Sequence, residues 1–286
     1  MELNAKTMNF PDLLADASRR PLLMGIVNVT PDSFSDGGKY FSPADAVEQG
    51  ERLIAEGADL VDLGGESTRP GAPPVSADEE WRRLQPVLIA LRKSHPDLPV
   101  SIDTGKAEVA RRALEEGATL INDVTGGADP GMFSTIARAE CPYVLMHLRG
   151  TPATMHRMTG YPGGVVQTVI AELEQSLAAA VKAGVKRERI IADPGIGFSK
   201  DAAQSAQLLR ALPEFVAEFG AVLLGVSRKS FIGALDAPFN PPASGRLPGS
   251  LTAALHGAAS GAAMLRVHDV AATRQSLAVW RALRGR

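Results

Sequence analysis

The sequence predicts an α/β protein: a single (β/α)8 TIM barrel with a short N-terminal extension, Met1–Arg20, over the end opposite the working rim. Three observations carry that expectation. The sextet Gly-Ala-x-apolar-apolar-polar occurs at Gly57–Asp62, Gly117–Asn122 and Gly261–Arg266. In each, the Gly can end a helix in the left-handed conformation, the apolar residues suit a short buried strand, and the strand closes on a polar group. Eight strand-like runs end about 34 residues apart on average, enough for a strand, a helix and two loops. Hydrophobic residues make up 45% of the 286 and aromatic ones only 5%. The core must then be mostly Ala, Val, Leu and Ile, which suits helices layered on a parallel sheet better than an aromatic-rich sandwich.

The predicted strands are Leu22–Asn28, Leu60–Gly64, Val100–Asp103, Leu120–Asp123, Tyr143–His147, Ile190–Asp193, Val222–Ser227 and Met264–Val267. Helical patterns follow them in turn at Pro43–Glu56, Ala77–Ser94, Lys106–Glu116, Met132–Ala139, Val165–Ala183, Ala202–Leu212, Ser250–Ser260 and Val270–Leu283. Ser42 before Pro43 reads as an N-cap with Pro at the first helical position. Ser76 precedes Ala77-Asp78-Glu79, an acidic first turn that suits the helix dipole. No Gly-x-Gly-x-x-Gly turn opens the first helix, which argues against a dinucleotide-binding fold. No linker divides the chain, so residues 21–286 read as one catalytic barrel. Ala253, Ala254, Gly257, Ala258 and Ala259 make one helix rich in small residues, suited to close packing inside the barrel or against a second subunit.

Composition narrows the function. A formal charge of −2 gives no broad attraction to nucleic acid or to an anionic membrane. The one cysteine, Cys141, excludes an internal disulfide and a Cys-cluster metal site, and its surroundings read as a buried filler. No apolar run reaches the about 18 residues of a membrane span, and no secretory signal is evident. The expected location is the cytoplasm.

Strand ends of such a barrel are where catalytic side chains collect. Asp103, Asn122 and Asp193 close three strands. Two carboxylates and an amide at one mouth suit a heterocycle with ring NH and exocyclic amino groups. Unpaired carboxylates there are costly, and Lys229 offers a cation. Alternation puts Arg266 and His268 on one side of the last strand, where they read as an anion clamp or as partners of Asp269 or Asp32. The loop Asn28–Lys39 mixes amides, hydroxyls and carboxylates, with Asn28 positioned for a polar ligand or metal. The loop Gly64–Ala72 offers Arg69 as a planar fork for phosphate or carboxylate. Taken singly, each loop is also an ordinary turn.

Together the motifs resemble those of the dihydropteroate synthase family. Met24-Gly25-Ile26-Val27-Asn28-Val29-Thr30-Pro31-Asp32-Ser33-Phe34-Ser35-Asp36-Gly37-Gly38 is similar to its first signature, and Asp62-Leu63-Gly64-Gly65-Glu66-Ser67-Thr68-Arg69-Pro70-Gly71 to its second. The likeness continues through Ser101–Thr104, Ile121–Asp123, Met146-His147, Asp193–Phe198, Ser227–Ser230 and Arg266–Val270, spanning residues 22–284. It implies a (β/α)8 transferase of folate biosynthesis, Mg2+-dependent and homodimeric, and a sulfonamide target. Such an enzyme joins 7,8-dihydropterin-6-ylmethyl diphosphate to 4-aminobenzoate, giving 7,8-dihydropteroate and diphosphate. Carried over by motif position, Asp103, Asn122, Asp193 and Lys229 hold the pterin, with Asp62 towards its diphosphate side. Asn28, Arg266 and His268 hold the diphosphate, with Mg2+ near Asn28. Thr68, Arg69, Pro70, Phe198 and Ser227 shape the aminobenzoate site. Asp103, Lys229, Arg266 and His268 are the implied catalytic groups.

The chain departs from the family in two places. Where the family has Gly-Lys after the Phe, this sequence runs Ser199-Lys200-Asp201-Ala202-Ala203-Gln204-Ser205-Ala206, and Thr159–Gly164 differs from the common form. Other readings are a methyltetrahydrofolate-dependent methyltransferase, which needs no anion clamp, and a non-catalytic synthase-like subunit. A Schiff-base role for Lys229 requires a desolvated lysine. A zinc hydrolase is disfavoured, since His95, His147, His156, His256 and His268 lack ligand spacing.

Overall fold

Strand formation follows the apolar runs. In the computed structural model, which describes residues 20–30, 42–68 and 72–285, the strands are β1 (Leu22–Asn28), β2 (Leu60–Gly64), β3 (Val100–Asp103), β4 (Leu120–Asp123), β5 (Tyr143–Met146), β6 (Ile190–Asp193), β7 (Leu223–Gly225) and β8 (Met264–Val267). All pair in parallel, in the order β6-β5-β4-β3-β2-β1-β8-β7. A bridge between Ala192 and Val222 brings β6 and β7 together, so the sheet curls into a nearly closed barrel. Around it run α1 (Pro43–Ala55), α2 (Ala77–Ser94), α3 (Ala107–Glu115), α4 (Met132–Ala139), α5 (Val165–Lys182), α6 (Ala202–Arg210), α7 (Leu212–Phe219), α8 (Ser230–Leu235), α9 (Leu247–Ala259) and α10 (Val270–Leu283).

Local chemistry sets the helix ends. Ser42 and Asp45 form a reciprocal capping box at the start of α1, with Pro43 in the first turn. Ser76 accepts from the Glu79 amide at 3.2 Å to start α2. The glycines of the three sextets, Gly57, Gly117 and Gly261, take φ of 97°, 95° and 92°, the left-handed turn that releases the chain from helix to strand.

Alternation along the strands divides the core. Leu22, Met24, Leu60, Leu120, Val144, Ile191, Leu223 and Met264 fill the barrel interior at its lower end. Residues one step along, such as Leu23, Val27, Val61 and Ile102, face the helices. One level above the interior apolar layer, the inward positions turn polar: Asp62, Ser101 and Asn122 are all buried. The lower layer supplies the apolar burial, and the upper one the chemistry.

Several boundaries differ from the sequence expectation. The expected helix Ala202–Leu212 is α6, which ends at Arg210, and a further helix that was not expected, α7, follows at once with Pro213, lacking an N–H, in its first turn. The seventh strand is shorter than expected, and α8 was not expected at all. The small-residue helix packs inward: a Cβ on Gly257 would collide with Leu224 of β7. Of the extension, residues 1–19 lie outside the described residues. Arg20 pairs with Asp59 at 2.5 Å beside the start of β2, at the end opposite the strand termini. Cys141 is buried, and no helix among the described residues is long and apolar enough to cross a membrane.

Gly25 lets α1 close on β1, since a Cβ there would lie 3.2 Å from Leu53. Leu53→Ala therefore opens a gap against backbone that cannot collapse into it. The expected loss is about 2–5 kcal/mol in urea unfolding, with the denaturant slope unchanged.

Candidate active site

Burying two carboxylates inside a barrel requires a cation among them, and that cation is Arg266. Its Nε donates to Asp62 Oδ2 at 2.6 Å and its Nη2 to Asp103 Oδ2 at 2.7 Å. Asn122 Nδ2 donates to the same Asp62 oxygen at 3.0 Å. These groups come from β8, β2, β3 and β4. Asp62 is fully buried and Asp103 is 8% exposed, so the guanidinium acts at low dielectric, where charged hydrogen bonds are strong. Lys229, which the sequence offers as a cation for Asp103 and Asp193, acts on them through space while its ammonium hydrogen-bonds elsewhere. It donates to the Ile196 carbonyl and lies 4.0 Å above the Phe198 ring.

Asp193 closes β6 and accepts the Gly195 amide at 2.7 Å. At the end of β8, His268 meets Ser227 through its backbone amide at 3.2 Å and Nδ1 at 3.0 Å. The alternative partners for the β8 pair are thus used differently: Asp269 binds Arg228, at 2.9 and 2.5 Å. Asp32 lies outside the described residues. Asn28 ends β1 opposite Gly64. A Cβ on Gly64 would stand 3.7 Å from Asp103 and 3.9 Å from Asn28 Oδ1, so this glycine keeps the space between them open. Thr68 is half-buried at the edge of the described loop, while Arg69 and Pro70 lie outside the described residues. Asn28, Asp62, Asp103, Asn122, Asp193, Ser227, Lys229, Arg266 and His268 all belong to the C-terminal ends of strands or the loops just beyond them.

Burial dominates the titration of this rim. It pushes the Asp103 carboxyl up to about 7, with Arg266 opposing and the nearby carboxylates of Asp62, Glu80 and Asp123 reinforcing. It raises Asp193 as well, against the pull of Lys229. The Lys229 ammonium is pushed down to about 8 by burial, partly offset by Asp193. A carboxylate and an ammonium that both change charge close to neutrality are suited to a site that must bind and release charged groups.

Two further clusters were not legible in the sequence. Lys106, just before α3, binds Glu66 of the β2–α2 loop and the buried Glu80 of α2, the latter at 2.5 Å. Lys200, 7% exposed, meets the His147 ring at 2.9 Å, and that ring meets Glu172 at 2.8 Å. Neither set shares a period or a motif. A lysine followed by a helix carries no signal of the carboxylate it will meet. Among the described residues no group of three or more His, Cys, Asp or Glu is arranged to hold a metal ion. The Asn28 amide oxygen nevertheless suits Mg2+, which takes few protein ligands when substrate phosphates complete its shell.

Comparison with known proteins places this geometry. The pattern of the pterin binding enzymes matches residues 24–268. A dihydropteroate synthase from Synechocystis is 44% identical over 278 residues, covering 94% of this chain and 93% of the relative. A Xanthomonas albilineans dihydropteroate synthase solved with 4-aminobenzoic acid superposes with a TM-score of 0.85 at 46% identity, covering 93% and 94% of the two chains. A Yersinia pestis dihydropteroate synthase in a sulfonamide drug complex gives 0.89 at 38% identity, covering 100% of both.

The Asp103 carboxyl should titrate near pH 7 in a 13C NMR experiment, well above its ordinary 3.8. An acid whose folded pKa is raised favours the folded state below its unfolded pKa. That contribution should be fully present below about 4 and lost as pH rises through about 7.

Proposed function

The chain belongs to the pterin binding enzymes, as a member of the dihydropteroate synthase family, and on that premise we propose how its rim residues divide the joining of 7,8-dihydropterin-6-ylmethyl diphosphate to 4-aminobenzoate. The observation that carries the assignment is the convergence of Asp62, Asp103 and Asn122 with Arg266 at the barrel mouth. A flat ring rich in N–H groups needs acceptors at its edge, and Asp103, Asn122 and Asp193 supply them. Lys229 supplies a donor from beside Phe198.

The diphosphate end needs positive charge that grows in value as the bond breaks. Arg266 and His268 are assigned that role, with Asn28 facing the same end. Arg266 has donors beyond the two spent on Asp62 and Asp103, so it can hold its carboxylates and still meet an anion. When bound, Mg2+ would add charge neutralisation on the diphosphate oxygens, with Asn28 as the protein ligand. The C–O bond at the pterin methylene breaks with its electron pair leaving on the diphosphate. Asp103, ionised, stabilises the positive charge left at that carbon. The aminobenzoate nitrogen attacks it to form the C–N bond, then gives up a proton to the departing diphosphate. Thr68, Phe198 and Ser227, with Arg69 and Pro70, are assigned to the aminobenzoate side. The enzyme needs no nucleophilic side chain, because the arylamine is itself the nucleophile. Assembly as a homodimer belongs to the same proposal.

The test is diphosphate release by the purified protein with Mg2+ and both substrates. Release should depend on aminobenzoate and fall when the metal is chelated, and Arg266→Met should lower kcat/KM by about 10²–10³. Diphosphate appearing equally fast without the amine, or no coupled product from folded protein, would reject the proposal. A sulfonamide, sharing the arylamine and a para acceptor group, should raise the apparent KM for aminobenzoate while leaving the maximal rate unchanged. Inhibition indifferent to aminobenzoate concentration would show that the drug binds elsewhere.

A further inference from the structure

Between Asp193 and α6 the chain makes a tight turn held from two sides by lysines. The Phe198 amide donates to the Gly195 carbonyl at 3.0 Å to close it. Gly195 sits at φ +65°, and a Cβ there would collide with the His147 carbonyl oxygen, so the turn presses directly on the end of β5. On its outer side Lys229 binds the Ile196 carbonyl and covers the Phe198 ring. On its inner side the Lys200 ammonium donates to the Gly195 carbonyl at 3.0 Å, the Phe198 carbonyl at 2.8 Å and His147 Nδ1 at 2.9 Å.

An ammonium has three N–H donors and no acceptor, and here each donor has an acceptor, the Gly195 carbonyl and His147 Nδ1 buried and the Phe198 carbonyl partly so. The arrangement also fixes the histidine. Burial pushes the Lys200 ammonium down to about 7; below that pH it can only donate, so Nδ1 accepts and the ring is neutral, with its proton on Nε2 directed at Glu172 Oε2. Glu172 in turn pairs with Arg149. Burial holds His147 down to about 4, with Lys200 next in effect and Glu172 opposing. The side chains facing His147 with charge are thus Lys200, Glu172 and Arg149. The reaction assigned above uses none of the four.

We infer that Lys200 is a positioning residue: its three donors lock the Gly195–Phe198 turn onto His147, and so fix the Phe198 ring and the Ile196 carbonyl against which substrate and Lys229 are placed. The inference rests on the roles proposed above for Phe198 and Lys229. Ser199 supports the lock from the other side. It holds φ +48°, its Oγ donates to the Phe198 carbonyl at 2.7 Å, and it accepts the Arg149 amide at 3.1 Å. Without Lys200 the imidazole nitrogen loses its donor and the Gly195 and Phe198 carbonyls each lose one of two, so the turn can relax away from β5.

The experiment compares wild type, Lys200→Met and the milder Lys200→Gln by NMR titration of the His147 ring and by separate KM values for the two substrates. In wild type the ring should stay neutral down to about pH 4, as the Nε2–H tautomer. Removing the Lys200 charge should raise that midpoint, because burial and Arg149 then oppose Glu172 without it. The KM for aminobenzoate should rise about tenfold, with the KM for pterin diphosphate changing by less than about threefold. A fold defect alone would not separate the two substrates. A folded variant with an unchanged aminobenzoate KM overturns the inference, and so does a wild-type His147 that titrates at its ordinary 6.5. If Lys200→Met does not fold, Lys200→Gln and the wild-type titration decide the matter. A wild-type protein that ignores aminobenzoate would instead reject the proposed function, leaving the His147 titration to judge the lock by itself.

Discussion

Charge buried in the barrel is the constraint on which the rest depends. Asp62 is fully enclosed, and one of its oxygens takes hydrogen bonds from both Arg266 and Asn122. Removing one partner of such a buried pair typically costs about 3–5 kcal/mol, because the remaining charge stays desolvated. Arg266 reaches past β1 to span Asp62 and Asp103, so the spacing of β8, β2 and β3 and the position of the charge determine each other. A barrel filled only with Leu and Val would have no such requirement and no such site.

The polar layer sits where it does because the apolar layer beneath it is complete without it. Seven of the eight strands contribute side chains to the lower interior, and β3 is the exception. There Ser101 faces inward, fully buried, at the level of its register partner Asp62. Stability and chemistry are separated by two residues along a strand, as from Leu60 to Asp62, Leu120 to Asn122 and Met264 to Arg266, and a one-residue slip of register would turn the polar groups towards the helices.

Much of this was legible in the sequence because it is local. The Gly-Ala sextets announce helix end and strand start, since a left-handed glycine followed by apolar residues has few other uses. Polar residues closing the runs, such as Asp103, Asn122, Asp193 and Arg266, could be placed at one rim once the barrel was accepted. What could not be read was who pairs with whom. Arg266 and Asp62 lie 204 positions apart, and nothing in the spacing prefers Arg266 over Lys229 as the carboxylates' partner. Three-dimensional reach decided that. The helix α7 was a different kind of miss: Pro213 was visible, but whether a proline only ends a helix or also starts the next depends on what packs beneath it.

Ser199 shows how a departure from a family pattern can be absorbed. A non-glycine residue in the left-handed region costs roughly 1–2 kcal/mol, and the family commonly has glycine at this position. Here the hydroxyl donates to the Phe198 carbonyl and accepts the Arg149 amide, two hydrogen bonds that a glycine cannot make. At about 0.5–1.5 kcal/mol each, they are together large enough to offset the backbone cost. The turn after β6 is thereby tied directly to the loop after β5. What the chain gives up in backbone ease it recovers as a connection between two walls of the same mouth, and the Phe198 ring stands at their junction.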